Sequence, residues 1–362
     1  MFVCSRISLF FVFLSIAARG SASDIWDAPA FTAEAVALRD ASQAVLAQKN
    51  VEATILLNDS QYHFDETGRA VETRHLIYRI ETQEGVENWA ETSGTWEAWH
   101  QAKPEIKARV ITPDGAVHWL DQNTLSDFPV HENAPDTYSD ERKYGGPLPA
   151  VAPGSIVEAQ VVIRDTSPLF AAGTVHRWGF GWHVPVNKTK FVLSHAVSLP
   201  LKYEVHLVPN ATVSKSSDIG IETITLSQGP LPAFTEEDAY LPPDVILYPE
   251  IEFSTGNSWS QVAAEYARLY ESKIRLADVR AVTSGLNLKG SRDEVIRALV
   301  SLLHSNVRYT GVEFGESSLI PQFPSETLKR KYGDCKDKAT FLDARARFPD
   351  YTMPGLPELT RR

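Results

Sequence analysis

The residues best suited to chemistry in this chain form the run Tyr332-Gly333-Asp334-Cys335-Lys336-Asp337-Lys338-Ala339. The chain has two cysteines, and the other, Cys4, falls in a leader-like segment, which leaves Cys335 without an internal disulfide partner. A lone thiol of this kind is either a small buried hydrophobe or a reactive group. Four of the six residues flanking it between Tyr332 and Lys338 are charged, whereas a structural cysteine would sit among apolar neighbours, so the reactive reading is preferred. The spacing suggests how reactivity would arise. Gly333 permits a tight turn and Asp334 is a good helix N-cap. Asp337 offers a return contact of the capping-box kind, although Glu or Gln is the usual residue there. Cys335 would then open a helix, where unpaired N–H groups and the positive end of the helix dipole favour a thiolate over a thiol. Lys336 and Lys338 push the same way, and Asp334 and Asp337 oppose them.

Other chemistries are poorly provided for. The balance of 35 basic against 46 acidic residues gives a net charge of -11 with no basic block, which disfavours a nucleic-acid partner. The ten histidines show no His-Glu-x-x-His arrangement and no Cys/His ligand spacing, so neither a metal nor another cofactor is expected. Asn58, Asn187 and Asn210 each begin an Asn-x-Ser/Thr triplet, which would matter only in a eukaryotic secretory route and reads as chance.

The elements that must position the thiol follow from changes of period along the 362 residues. Residues 1–23 read as a secretory signal, with Arg6 ahead of the apolar run Ile7 to Ala18 and small residues Gly20-Ser21-Ala22 at the cleavage zone. The apolar run is short for a membrane span, and no cysteine follows at a lipoprotein-like position. A soluble exported protein, periplasmic in location, is therefore expected, with a membrane attachment only if the leader stays uncleaved. Residues 24–50 hold an alanine-rich helix, from Thr32 to Gln48, whose larger apolar residues are Val36, Val45 and Leu46.

Strand-like segments then run through 51–225: Val51 to Leu57, Gln61 to Phe64, Arg69 to Glu81, Ala108 to Thr112, Val117 to Leu120, Ser155 to Asp165, Lys190 to Leu199 and Tyr203 to Val208. Turn signals such as Glu66-Thr67-Gly68 and Pro113-Asp114-Gly115 separate them, without intervening helices. That pattern predicts an antiparallel, β-sandwich-like domain whose core takes up Trp89, Trp96, Trp99, Trp119, Trp178 and Trp182. Pro230-Leu231-Pro232 and Leu241-Pro242-Pro243 place a linker at 226–257. From Trp259 the period becomes helical, and Ser291 with Glu294 forms a Ser-x-x-Glu capping box ahead of a helix reaching His304. The fold class expected is α+β.

The stretch Val307-Arg308-Tyr309-Thr310-Gly311-Val312-Glu313-Phe314-Gly315, then Pro324-Ser325-Glu326-Thr327-Leu328, then the cysteine run, resembles the helical first half of bacterial transglutaminase-like (papain-like) domains. Leu148-Pro149-Ala150-Val151-Ala152-Pro153-Gly154-Ser155-Ile156-Val157-Glu158, with the Pro113 turn, resembles the uncharacterised β domain that commonly precedes them in exported proteins. The resemblance runs from about Val51 to Phe341 and makes 258–342 a partial transglutaminase-like domain. It implies that Cys335 is the nucleophile for acyl transfer or amide hydrolysis on protein or peptide amides, with its own backbone N–H as the first oxyanion donor.

In that family the base and its orienting Asp or Asn lie downstream, on the strands of a small antiparallel sheet. Residues 336–362 contain no histidine. After Thr340-Phe341-Leu342 the chain turns to Asp343-Ala344-Arg345-Ala346-Arg347-Phe348-Pro349, which gives an irregular tail over 343–362 and the expectation of a truncated or frame-shifted, inactive acyl-transfer domain. His304 is the upstream alternative for the base, but a single helix histidine reads as a surface or packing residue. The competing reading is a non-catalytic envelope binding or scaffold module acting through the β domain. Oligomeric state is not legible.

Overall fold

The computed structural model describes residues 24–46, 48, 50–130, 136–208, 210–234, 245–275 and 291–346. The leader and the tail beyond 346 lie outside these. Six helices occur among the described residues: α1 (Ala35–Ala44), α2 (Gln83–Trp89), α3 (Trp259–Arg275), α4 (Arg292–Asn306), α5 (Pro324–Arg330) and α6 (Cys335–Ala346). The strands of the first half are β1 (Ala53–Phe64), β2 (Ala70–Ile80), β3 (Glu91–Glu97), β4 (Glu105–Ile111), β5 (Val117–Trp119), β6 (Ser126–Pro129), β7 (Thr137–Ser139), β8 (Glu141–Pro147) and β9 (Ile156–Arg164). They continue as β10 (Val175–Gly179), β11 (Thr189–Ala196), β12 (Lys202–His206), β13 (Thr212–Asp218), β14 (Ile221–Gln228), β15 (Glu250–Ser254), β16 (Arg308–Tyr309), β17 (Gly311–Glu313) and β18 (Tyr332–Gly333).

An eight-stranded mixed sheet, ordered β13-β14-β11-β1-β2-β9-β4-β5, dominates the α+β fold. The expectation of an antiparallel domain is corrected at one ladder, because β1 and β11 run parallel, from Asn58 opposite Thr189 to Phe64 opposite His195. After β9 the chain leaves the sheet, forms β10 elsewhere and returns on the far side of β1. Apolar alternation fixes which face a side chain occupies, not the neighbour or direction of its strand.

Every residue from Ala53 to Ser60 is buried, because β1 is covered on both faces. On one face Leu38 of α1 packs with Trp26, Leu56, Leu57, Ile77, Ile111 and Ile156. Full burial of such a leucine stabilises by about 1.5–3 kcal/mol. Val36 and Leu46, singled out in the sequence, are exposed, and the helix docks through Leu38 and Ser42. On the other face Tyr62, Phe64 and Phe191 share a core with Ile251 and Phe253 of a second sheet, ordered β10-β15-β12. The strand at 250–254 thus occupies the centre of that sheet, where the sequence suggested linker. Leu241-Pro242-Pro243 lies outside the described residues.

The segments Val51 to Leu57 and Gln61 to Phe64 form one strand, with a bulge at the Ile55/Leu57 step where β1 pairs with β2. Of the six tryptophans assigned to the core, Trp89 is buried, Trp96, Trp99, Trp178 and Trp182 are half-buried, and Trp119 stands half exposed on the edge strand β5. No helix among the described residues is long and apolar enough to cross a membrane.

Candidate active site

Four short pieces of chain assemble around Cys335. The capping box foreseen in the sequence starts α4: Ser291 Oγ accepts from the Glu294 N–H at 3.4 Å, and Glu294 accepts from the Ser291 N–H at 2.8 Å. Leaving α4, the chain extends as β16, which pairs in parallel with β18 just before the cysteine. Next, β17 pairs in parallel with β7 of the β region, and the Gly311 N–H donates to the Asp136 carbonyl at 2.7 Å. The Gly315 N–H donates to Asp140 Oδ2 at 2.9 Å, and the rings of Tyr138 and Tyr332 meet edge to face at 5.2 Å. Proline at the first position of α5 suits a helix start, and Lys331, left-handed at φ 61°, ends that helix.

Asp334 caps α6 as its position suggested. Its Oδ1 accepts the N–H groups of Lys336 at 3.1 Å and Asp337 at 3.3 Å. Its Oδ2 takes the Val312 N–H at 3.3 Å and the Lys336 ammonium, whose Nζ also donates to the Val312 carbonyl at 3.2 Å. The capping box does not close. Asp337, 1% exposed, instead accepts the Gln322 N–H at 2.8 Å and pairs with the Arg330 guanidinium. Gly333 explains the close fit: a Cβ there would stand 2.9 Å from Asp337 Cβ, so its role is close approach and not the turn inferred from sequence.

These pairings alter the electrostatics inferred from sequence. Lys336 is bound to Asp334, and Asp337 to Arg330, so the charges flanking the cysteine largely compensate in pairs. Cys335 itself is exposed on the first residue of α6. Two tyrosines face it, neither assigned a role in the sequence. The charge of the Cys335 sulfur, and then a hydrogen bond with it, push the Tyr309 hydroxyl above its ordinary pKa. Burial, and then the charges of Cys335 and Asp334, push Tyr266 of α3 upward too. Of the two, Tyr309 alone has a hydrogen bond with the sulfur, and as a phenol it is protonated at neutral pH and can donate there. Lys338 lies over the Tyr309 ring, 5.5 Å from its centroid. Only the position of Tyr309, two residues into a quoted motif, could have signalled its part; Tyr266 looked like one more periodic helix residue.

His304 is exposed in the last turn of α4, as the surface reading supposed. Phe341 is 0% exposed, clustered with Leu303 and Val307 of the α4 end. The helix continues to Ala346, past the residue 342 boundary.

Residues 66–235 match DUF3857, a domain of unknown function with solved structure. The DUF3857 match opens at the β1–β2 turn and closes after β14, so it takes in most of the eight-stranded sheet and stops short of the cysteine half. The fold is similar to the crystal structure of a putative protease from Parabacteroides distasonis, with a TM-score of 0.66 at 14% identity. That alignment covers 81% of this chain, and this chain spans 58% of that protein. An M1 zinc metallopeptidase from Deinococcus radiodurans aligns over 56% of this chain and 42% of its own, at 10% identity and a TM-score of 0.29, too low to carry an argument. None of the curated proteins matches this chain.

Proposed function

We propose that Cys335 is the nucleophile position of a transglutaminase-like acyl-transfer or amide-hydrolysing site. The observation that carries this reading is an exposed thiol on the first residue of a helix capped by Asp334, with the Tyr309 hydroxyl beside it. In the reaction the thiolate attacks an amide carbonyl of a protein or peptide, the amine departs with a proton, and water or a second amine resolves the thioester. The Cys335 backbone N–H, at a helix start and bonded to the Tyr309 hydroxyl, is the donor a developing oxyanion would take over. The full partial-domain reading of 258–342 as papain-like rests on the quoted motifs and draws support from the fold shared with the Parabacteroides protein. Export to the periplasm rests on residues 1–23 alone.

Mass spectrometry of the purified chain after iodoacetamide treatment tests the thiol, and a panel of peptide amides tests turnover. Native-state alkylation at Cys335 is expected. A thiol that resists alkylation until the protein is unfolded would remove the nucleophile reading. Turnover that disappears in Cys335→Ala would show that a base reaches the thiol from elsewhere in the chain, and the site would then be complete.

A further inference from the structure

A second site lies in the β region. Between the face of the eight-stranded sheet and the segment that follows β10 there is a cleft of about 700 Å³, within the ~300–1,000 Å³ range of small-molecule sites. Its sheet side carries buried Asn58 and Ser60, and its walls carry Tyr78, Trp89, Trp178 and Trp182. The walls are held in place. Trp89 Nε1 donates to Glu52 Oε2 at 3.2 Å, Asn88 Nδ2 donates to the same oxygen at 3.0 Å, and the Tyr78 hydroxyl donates to the Trp89 carbonyl at 2.8 Å. The indoles of Trp89 and Trp182 stand 5.9 Å apart between centroids, tilted by 40°. Trp178 is propped by Phe180 at 4.9 Å and Phe191 at 4.8 Å.

The chemistry of this lining selects among ligands. A peptide adding a strand needs a run of free backbone donors and acceptors; the floor strands β1, β2 and β9 have theirs committed to ladders on both sides, and the edge strands β3 and β10 reach the cleft only through residues 91–93 and 178–179. An ionic ligand needs an opposite charge, but Arg74 is paired with Glu72, and Glu91 with Lys143 at 2.6 Å. His75 is bonded to Glu158, and what remains is the ring of His183, amides and hydroxyls on one side and indole faces on the other. A sugar ring matches both, since its C–H face packs on an aromatic plane while its hydroxyls exchange hydrogen bonds with amides. We infer that this cleft, between the sheet face carrying Asn58 and the indoles of Trp89 and Trp182, is a binding site for a neutral saccharide. The site does not depend on any chemistry at Cys335.

Calorimetric titration and tryptophan emission of the purified chain, with maltose, cellobiose and N,N′-diacetylchitobiose as probes, test the inference. At least one probe is expected to saturate at one site and to shift the emission. Trp182→Ala and Asn88→Ala should each weaken it, the first by roughly tenfold or more, as removal of a central aromatic anchor does. Trp119→Ala, on the edge strand β5 outside the cleft, should leave it unchanged. The inference fails if none of the three probes saturates, or if binding survives both cleft substitutions undiminished. It also fails if trialanine competes at the cleft where the sugars do not.

Discussion

Asp334 reaches the backbone N–H of Val312 at 3.3 Å with one carboxylate oxygen while the other caps the helix that begins at Cys335. One side chain thus fixes both the direction of the helix and its distance from β17. Replacing Asp334 by alanine removes the cap, a loss of about 0.5–2 kcal/mol, and strands the N–H of buried Val312, a further ~1–3 kcal/mol. Urea unfolding of Asp334→Ala should show a lower midpoint for the cysteine-bearing half, with Asp334→Asn recovering part of the difference. Equal midpoints for alanine and native protein would mean the cap is dispensable.

Tyr309→Phe should slow alkylation of Cys335 at neutral pH. The phenol is a hydrogen-bond partner of the sulfur, and its loss frees the Cys335 side chain from the position in which it meets an incoming electrophile. The comparison is a rate of iodoacetamide incorporation followed by mass spectrometry, and a rate equal to that of the native protein would remove Tyr309 from the site.

Glu158 should contribute to the acid sensitivity of the fold. Burial pushes its carboxyl upward, but His75 at 3.0 Å, the Phe31 N–H at 2.7 Å and Arg109 at 2.6 Å outweigh that and hold it below the ordinary carboxylate range. A folded-state pKa below the unfolded one contributes stability that is present at neutral pH and lost as pH falls through the folded value. Glu158→Gln should cost about 3–5 kcal/mol at pH 7, since it leaves Arg109 without its counter-charge. Its urea midpoint should then change less between pH 7 and pH 3 than that of the native chain. An equal acid dependence in both proteins would refute the assignment.

Phe341→Ala should cost about 3–5 kcal/mol by opening a cavity against Leu303 and Val307. Hydrogen exchange provides the readout. Amides of α4 and α6 should exchange faster while those of β1 and β2 keep their protection, and uniform protection throughout would show that the cluster does not hold these helices together.

Sequence reading succeeded where a residue acts on its own neighbours. The Asp334 cap, the Ser291–Glu294 box and the existence of most strands rest on spacings of a few residues, which a chain displays directly. It failed where partners are distant. Nothing near Asp337 announces Arg330 and the Gln322 N–H as its partners in place of the helix start. The parallel neighbour of β1, the strand at 250–254 and the partner of Phe341 are likewise matters of which surfaces meet, and a two-residue alternation is silent on that. The cleft between Asn58 and Trp182 could not be read either, because tryptophans that wall a cavity look in sequence like tryptophans that fill a core.

The ladder between β17 and β7 also bears on how the molecule comes to exist. Arg308 and Tyr138, in contact beside that ladder, are 170 positions apart. Because synthesis runs from the N-terminus, β7 is made long before the strand that completes it. Closing so long a loop adds little entropy beyond a shorter one, since the cost grows only with the logarithm of length, but it comes late. A nascent chain halted before residue 311 would thus carry its sheets nearly whole, with an open strand edge at 137–139 able to pair with the same edge of another copy. The thiol's surroundings are built after the sheets, and an early stop in translation leaves a sticky partial protein in their place.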